Sequence, residues 1–253
     1  MAKNSSKTLS NFNVNNNQLR NTFKELTNGK TNICELEYIF NIGLKDISLF
    51  PNINLSPEST HKDYLEKWIK GYLDAQNNPP SKRTASPKGS CSDPAIKTIV
   101  QTAKNIDSTK AEKYNCVHNL FMSAENIQGN LLEEYISGCV RKYGWIWCKG
   151  NVLRAIDFCT IDGSAFLQIK NKSNTENSSS SAIRTGTTIQ KWYRLGTKTE
   201  NGVKKPTYKW EVLNQIINNH SIYKCLACNM SEDSYQTFLR QVIAQNPTII
   251  TDK

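Results

Sequence analysis

The sequence predicts a mixed α/β (α+β) protein with a largely helical N-terminal part, and three observations support this class. Apolar residues recur at helical spacing through much of the first half of the chain. An alternation of period two begins near residue 144, and helical spacing returns close to the C-terminus. Helices followed by strands and a further helix are typical of a central mixed β-sheet flanked by helices. The 253 residues suffice for one large domain or two small ones.

The N-terminal region divides into a polar start and a helical stretch. Residues 1–17 are rich in Asn and Ser, which predicts a flexible terminus. Residues 18–110 are predicted to be mainly helical, most clearly from Glu58 to Ala75, with Pro57 suited to a first turn. A loop with three Pro at 77–92 is the best internal boundary. The sequence leaves open whether its two sides are separate domains or parts of one.

A helix and a hairpin are the clearest elements of the second half. Ser123 is a candidate N-cap for a helix from Glu125 to Val140. "VLRAIDFCTI" and "SAFLQIKNK" alternate as strands, and Asp162-Gly163 between them predicts a tight two-residue turn at positive φ. A last helix is expected around "EDSYQTFLRQVIAQ".

The positive charge of the chain is concentrated in one region. The whole sequence has 32 Lys and Arg against 22 Asp and Glu, a net charge of +10. Between residues 141 and 210 there are 13 Lys and Arg against 4 Asp and Glu. Such a basic block favours a nucleic-acid partner, although a basic surface that only improves solubility is the alternative. No apolar run is long enough for a membrane span and no secretory signal is visible, so a cytoplasmic protein is expected.

The predicted hairpin brings polar groups together among apolar residues. The turn at Asp162-Gly163 places Asp157 opposite Gln168, with Lys170 further along the same face. The opposite face is expected to be core and carries Ile156, Phe158, Leu167 and Ile169. An acid beside a cross-strand amide and a lysine is typical of a metal-dependent phosphodiesterase. Asp157 and the main-chain carbonyl of Ile169 would bind a hard divalent cation, and Lys170 would orient the attacking water or stabilise charge on the phosphate.

The stretch "IDFCTIDGSAFLQIK" resembles the core of PD-(D/E)xK nucleases, with Asp157 as the first acid and Gln168-Ile169-Lys170 as the (D/E)xK element. Ile156 stands in place of the motif's Pro, and Gln168 in place of its second carboxylate. Some branches of that superfamily use such a Gln and recruit a Glu from the preceding helix. The resemblance therefore implies a restriction-endonuclease-like core over residues 111–253 and Mg²⁺ as cofactor.

Two glutamates of the preceding helix are candidates for the recruited residue. "GNLLEEYI" places Glu133 four residues after Gly129, similar to the GxxxE helix of these nucleases. Glu125 lies two turns earlier, at an angular offset of about 80°, so it can flank the same site. The sequence does not decide between them. Glu134 points elsewhere and is expected to be solvated.

Residues 120–215 also resemble type II restriction endonucleases, particularly the SinI-type family. That resemblance implies sequence-specific, Mg²⁺-dependent cleavage of double-stranded DNA at sites that contain GG and CC steps. A palindromic site implies a homodimer, because the two-fold symmetry of the site then matches that of the protein. A cognate DNA methyltransferase would be a genetic rather than a physical partner.

The residues after Lys170 are predicted to contact DNA. Compact polar side chains suit phosphate contacts, and an arginine suits bidentate reading of guanine. A helix from Ser180 to Arg194 is expected to place three of the basic residues on one side. The candidates are Lys172, Asn174, Asn177, Ser179, Ser180, Arg184, Lys191 and Arg194.

Two alternatives to a restriction enzyme remain open from the sequence. Gln168 could mark a decayed site in a DNA-binding protein that is not an enzyme. A repair or junction nuclease on the same fold would cut according to DNA structure and give no fixed fragments.

Overall fold

The computed structural model describes residues 5–84, 93–172, 188–223 and 227–250. The chain forms two compact units. The first comprises Met1–Asn78 and Ile136–Glu232, and the second comprises Pro79–Tyr135 and Asp233–Lys253. Helices and a mixed sheet are both present, so the predicted α/β class is confirmed.

Seven α-helices and eight strands occur in the described residues. The helices are α1 (Asn16–Thr27), α2 (Cys34–Lys45), α3 (His61–Asn77), α4 (Pro94–Lys104), α5 (Ser108–Val140), α6 (Trp210–Asn219) and α7 (Glu232–Gln245). The strands are β1 (Ser5–Lys7), β2 (Ile53–Leu55), β3 (Trp145–Trp147), β4 (Phe158–Thr160), β5 (Phe166–Lys170), β6 (Ile189–Tyr193), β7 (Leu195–Glu200) and β8 (Val203–Tyr208). Among these residues, no helix is both long and apolar enough to cross a membrane.

Helices α1 to α3 contribute packed aromatic side chains to the core of the first unit. The ring of Phe23 stacks on Phe40 at 4.2 Å, and Trp68 makes a tilted contact with Phe40 at 6.0 Å. Helix α3 begins at His61, later than predicted, because Thr60 and Asp63 form a capping box there. Pro57 therefore lies outside the helix.

The start of the chain differs from its prediction. Residues 5–17, for which the sequence predicts a flexible terminus, contain β1 and the first residues of α1. Strand β1 pairs antiparallel with β2. At the start of α1 the side chain of Asn15 accepts a hydrogen bond from the Gln18 N–H. Strand pairing and helix capping thus offset the low hydrophobicity on which the prediction rested.

The central sheet has the order β3-β4-β5-β6. Strands β3, β4 and β5 are antiparallel neighbours, whereas β6 runs parallel to β5. Phe158, Cys159 and Leu167 are fully buried, so both faces of the middle strands are covered.

The turn between β4 and β5 keeps the predicted register with a different geometry. Only Gly163 adopts positive φ, at 74°, and its N–H donates to the carbonyl of Thr160 at 2.9 Å. Asp162 accepts from the N–H of Ser164 at 3.0 Å and thereby supports the turn. Phe158 pairs with Leu167, as the prediction requires.

A second hairpin, β7–β8, is absent from the sequence-based interpretation. Leu195 pairs with Tyr208 and Glu200 with Val203, which leaves a two-residue turn at Asn201-Gly202. Both turn residues have positive φ, at 51° and 76°. Asn-Gly is the strongest short-range signal for such a turn, so the signal was present in the sequence.

The long helix α5 begins at Ser108, well before the predicted start. Ser123, the candidate N-cap, lies in the middle of the helix, where its hydroxyl donates to the Asn119 carbonyl at 2.9 Å. A serine can make this bond four residues back without ending a helix, so the cap prediction is wrong. In the second unit, Leu131 packs with Val242 and Ile249.

Candidate active site

The site forms where the β4–β5 hairpin opens, opposite its turn. Asp157 immediately precedes β4 and lies beside Gln168 and Ile169 of β5 in the pairing register. Its N–H donates to the Leu167 carbonyl at 2.9 Å, and its carbonyl accepts from the Cys148 N–H at 2.8 Å. The main chain of Asp157 is therefore held between two neighbouring strands.

The carboxylate of Asp157 accepts a hydrogen bond from β5 at a position where a main-chain carbonyl would otherwise continue the hydrogen-bond ladder. Its Oδ2 accepts a hydrogen bond from the N–H of Ile169 at 2.7 Å. In a strand, the N–H and C=O of one residue point towards the same neighbour. The Ile169 carbonyl, a predicted metal ligand, therefore points to the side on which Asp157 lies.

Gln168 contains a polar atom that needs a partner. Its side chain is 5% exposed, and among the described residues Oε1 has no hydrogen-bond partner. A buried amide oxygen without a partner costs about 1–3 kcal/mol, so such an atom calls for an explanation. A bound cation would satisfy it. No side chain of the described residues forms an ion pair with the Lys170 ammonium, which lies two residues further along β5.

Strand β6 adds a second lysine to this face. In the parallel register Gln168 pairs with Lys191, and Lys170 pairs with Tyr193. Paired residues in a sheet project to the same face. Lys191 and Tyr193 therefore lie on the same face of the sheet as Gln168 and Lys170.

The predicted helix over Ser180–Arg194 is wrong in its described part, because residues 189–193 form β6. Pairing with β5 and burial of Trp192 outweigh the helical spacing of the basic residues. The sequence predicts that Lys191 contacts DNA, but it does not predict the position of Lys191 beside Gln168.

Arg194, one of the predicted DNA contacts, is buried and has protein partners. Its side chain is 9% exposed and forms an ion pair with Glu232 at 2.6 Å. Its Nε also donates to Oδ1 of Asn171 at 3.0 Å. Glu232 accepts a further hydrogen bond from Nε1 of Trp210 at 2.9 Å. The guanidinium therefore has protein partners in the structure, and its contact with DNA stays a prediction.

The remaining DNA-contact candidates differ in what the structure describes. Lys172 is half-buried just after β5. Five candidates lie outside the described residues: Asn174, Asn177, Ser179, Ser180 and Arg184.

The candidate glutamates all lie on α5, in the second unit. Glu133 is half-buried and Glu125 is exposed. Glu134 is not solvated as expected, because it accepts hydrogen bonds from the N–H of Ser81 at 2.8 Å and from its hydroxyl at 2.6 Å. The participation of Glu125 or Glu133 in the site stays a prediction.

The donor atoms at the hairpin end suit a hard cation. They are the Asp157 carboxylate, the Gln168 amide oxygen and the Ile169 carbonyl, all of them oxygen. The described residues contain no group of three or more His, Cys, Asp or Glu placed to hold a metal. Mg²⁺ commonly takes only one or two carboxylates and keeps several waters, so this donor set fits it.

A four-stranded mixed sheet flanked by helices, with an acid, an amide and a lysine at one hairpin end, defines a restriction-endonuclease-like protein. The model of the SinI restriction endonuclease family matches residues 66–245, and the chain belongs to this family. It is 29% identical over 222 residues to the type II restriction enzyme Eco47I of Escherichia coli, across 83% of this chain and 89% of the relative. It is 35% identical over 168 residues to the type II restriction enzyme SinI of Salmonella infantis, across 63% of this chain and 73% of the relative.

Proposed function

We propose that the protein is a Mg²⁺-dependent type II restriction endonuclease that hydrolyses phosphodiester bonds at a specific sequence in double-stranded DNA. Family membership supports the class of activity. The observation that carries the site assignment is the pair of oxygens at the hairpin end. The Asp157 carboxylate is fixed on the Ile169 N–H, and the buried Gln168 Oε1 lacks a partner among the described residues.

In this proposal the residues of the hairpin have different roles in hydrolysis. Asp157, the Ile169 carbonyl, Gln168 and a glutamate of α5, Glu133 or Glu125, hold the cation. When bound, Mg²⁺ lowers the pKa of its water and neutralises charge on the phosphate. Lys170 orients the attacking water, and its ammonium stabilises the charge that develops on the phosphate oxygens. Lys191 on the adjacent strand adds positive charge to the same face.

The first test removes the acid and the lysine separately. Asp157→Ala and Lys170→Ala should each lower the cleavage rate by at least about 10²–10³, because each removes a charge that acts in the transition state. Binding of a duplex that carries the site should persist in gel-shift assays without Mg²⁺. Lys198→Ala on the exposed β7–β8 hairpin is a matched charge control and should keep nearly full activity. Normal cutting by both site variants would refute the assignment.

The same assay separates the alternatives. Discrete fragments from plasmid DNA with Mg²⁺ indicate sequence-specific cleavage. Binding without fragments over many substrates would instead indicate a decayed site in a DNA-binding protein. Cutting only at junctions or flaps, without a fixed band pattern, would indicate a repair nuclease.

We further propose that the active species is a homodimer, because the described part of one chain carries one such hairpin and a duplex has two strands to cut. Exposed apolar side chains on α4 and α5 support this. Within the described residues α4 buries no side chain, although Ile96 and Ile99 are 61% and 65% exposed. On α5, Val117 and Phe121 are 51% and 66% exposed. Exposed apolar residues at helical spacing on each of these helices are typical of a protein interface, and a second copy is the partner that the reaction requires.

The proposal also includes the cellular setting. The enzyme would act in the cytoplasm, and a DNA methyltransferase of matching specificity would be its genetic partner. Methylation of the host's own sites would then protect them from cleavage. Loss of that methyltransferase should make expression of the active enzyme toxic, whereas the Lys170→Ala variant should be tolerated.

A further inference from the structure

The first unit contains a cleft that the proposed catalysis does not use. Its cavity volume is about 470 Å³, within the range of roughly 300–1,000 Å³ typical of small-ligand sites. Two tryptophans of the edge strand β3, Trp145 and Trp147, form part of its wall. Trp147 pairs with Phe158, and Phe158 pairs with Leu167. Because neighbours along a strand alternate between faces, both tryptophans lie on the face opposite Gln168 and Lys170.

Two residues of the cleft wall each contain a buried polar atom that lacks a partner among the described residues, one a donor and the other an acceptor. Trp145 is 1% exposed, and among the described residues its Nε1–H has no acceptor. Gln76, also in the wall, has a buried Oε1 that lacks a donor among the same residues. An unpaired indole N–H and an unpaired amide oxygen each carry a desolvation cost. A ligand that presents both an acceptor and a donor would remove both costs.

The opening of the cleft carries two cationic side chains, and a carboxylate holds both of them in position. The carboxylate of Glu35 lies 3.0 Å from Nε of Arg141 and 3.5 Å from Nζ of Lys149. Glu35 also accepts from the Tyr72 hydroxyl at 3.3 Å, and burial, followed by the Glu35 charge, raises the pKa of that hydroxyl, which keeps it a donor. The Arg141 side chain is 79% exposed. With one carboxylate against two cations, the cleft favours an anionic group at its opening.

We propose that this cleft binds a nucleotide, with the base against the wall that contains Trp145 and Trp147 and the phosphate at Arg141 and Lys149. A heterocyclic base has a planar face for the aromatic walls, and its edge carries an acceptor for Trp145 and a donor for Gln76. A guanidinium is well suited to phosphate. The nucleotide comes either from the free pool or from an unpaired position in a DNA strand. The inference does not depend on the proposed cleavage.

Gly138 offers a way to close the cleft without disturbing the fold. It lies on α5 in the cleft wall, and a Cβ added there meets no atom within 4 Å. Gly138→Leu should therefore fill the cavity, whereas Gly138→Ala should leave most of it open. Both variants should fold, because each replaces a helical glycine with a better helix former.

The test is calorimetric titration of the full chain with each of the four deoxynucleoside 5′-monophosphates, with inorganic phosphate and deoxyribose 5-phosphate as controls. At least one nucleotide should bind the native protein and Gly138→Ala at least tenfold more tightly than it binds Gly138→Leu. Gln76→Met should weaken nucleotide binding by about tenfold, as expected for one lost hydrogen bond.

A second arm identifies the source of the nucleotide. It compares, without Mg²⁺, a duplex that carries one unpaired nucleotide with the fully paired duplex. A preference for the unpaired duplex that Gly138→Leu abolishes, without mononucleotide binding, assigns the cleft to a DNA strand. If Gly138→Leu changes neither measurement, or if phosphate alone binds as well as every nucleotide, the proposal is wrong.

Discussion

In the resemblance to PD-(D/E)xK nucleases that the sequence suggests, Gln168 occupies the position of the motif's second carboxylate. A neutral amide supplies an oxygen ligand but no charge, so the site holds one negative charge fewer on β5. Its burial and its unpartnered Oε1, considered over the described residues, fit a ligand better than a surface substitution. Side-chain charge at this single residue should therefore set the affinity for the metal.

The first prediction concerns two substitutions at Gln168. Gln168→Glu should lower the Mg²⁺ concentration needed for half-maximal cleavage, because a carboxylate binds a hard cation more strongly than an amide does. Gln168→Leu, which keeps bulk without an oxygen, should raise that concentration by about tenfold or more. Cleavage rates over a Mg²⁺ titration measure both effects. Identical Mg²⁺ dependence in the two variants would exclude Gln168 from the metal site.

The second prediction concerns Arg194, which the sequence suggested for DNA and the structure places in a buried ion pair. Arg194→Met should lower the free energy of unfolding by about 3–5 kcal/mol, because it leaves Glu232 charged and buried without its partner. Lys198→Met removes an exposed ion pair with Glu200 and should cost less than about 1 kcal/mol. Urea unfolding compares the two. Equal, small losses would show that Arg194 has no structural role.

Among the elements, the β4–β5 hairpin was predictable because its signals are local. The Asp162-Gly163 pair and the alternation of apolar residues fix the register within 15 residues, and Asp157, Gln168 and Lys170 follow from it. Strand β6 was not predictable in the same way. Its pairing with β5 is parallel and joins residues more than 20 positions apart, so spacing along the chain cannot reveal it. Lys191 was therefore assigned to a helix.

The third prediction is a pH effect in the turn of this hairpin. Hydrogen bonds, first from the Thr160 side chain and then from Ser164, hold the pKa of Asp162 below its ordinary value. A lowered folded-state pKa adds stability above the ordinary value, and this stability is lost as the pH falls through the folded value. Stability should therefore decline below about pH 4.

The variant Asp162→Asn isolates this contribution, because it keeps an acceptor oxygen and does not titrate. Its free energy of unfolding should fall less steeply between pH 4 and pH 3 than that of the native protein. Guanidinium unfolding at several pH values measures the difference. Parallel pH profiles would show that the turn carboxylate does not contribute.

At the scale of the whole molecule, the class of the fold and the family were accessible from the sequence, whereas the extent of the elements was not. The helix around Glu125 and Glu133 reaches back to Ser108 as α5. The sequence does not reveal this extension, because it is only weakly amphipathic. Its apolar residues Tyr114, Val117 and Phe121 are exposed in the single chain. Exposed apolar side chains interrupt the amphipathic pattern by which a helix is recognised in sequence.

The fourth prediction tests whether that surface joins two copies. Phe121→Asp should weaken self-association by about 30-fold or more, the effect of losing an interface residue that contributes about 2 kcal/mol. Val212→Asp on α6, where the native side chain is 48% exposed, is the matched control. Sedimentation velocity over a range of concentrations gives the oligomeric state. If Phe121→Asp associates as strongly as Val212→Asp, the interface lies elsewhere.

The fixed pairing of Phe158 with Leu167 has a consequence for the safety of the host cell. A strand offset by one position would send Gln168 and Lys170 to the wrong side of the sheet and leave the Asp157 carboxylate without its anchor at Ile169. Misassembled copies of a DNA-cutting enzyme would therefore be inert rather than indiscriminate. In the proposed site, the same few hydrogen bonds would therefore fix the strand register and the activity together.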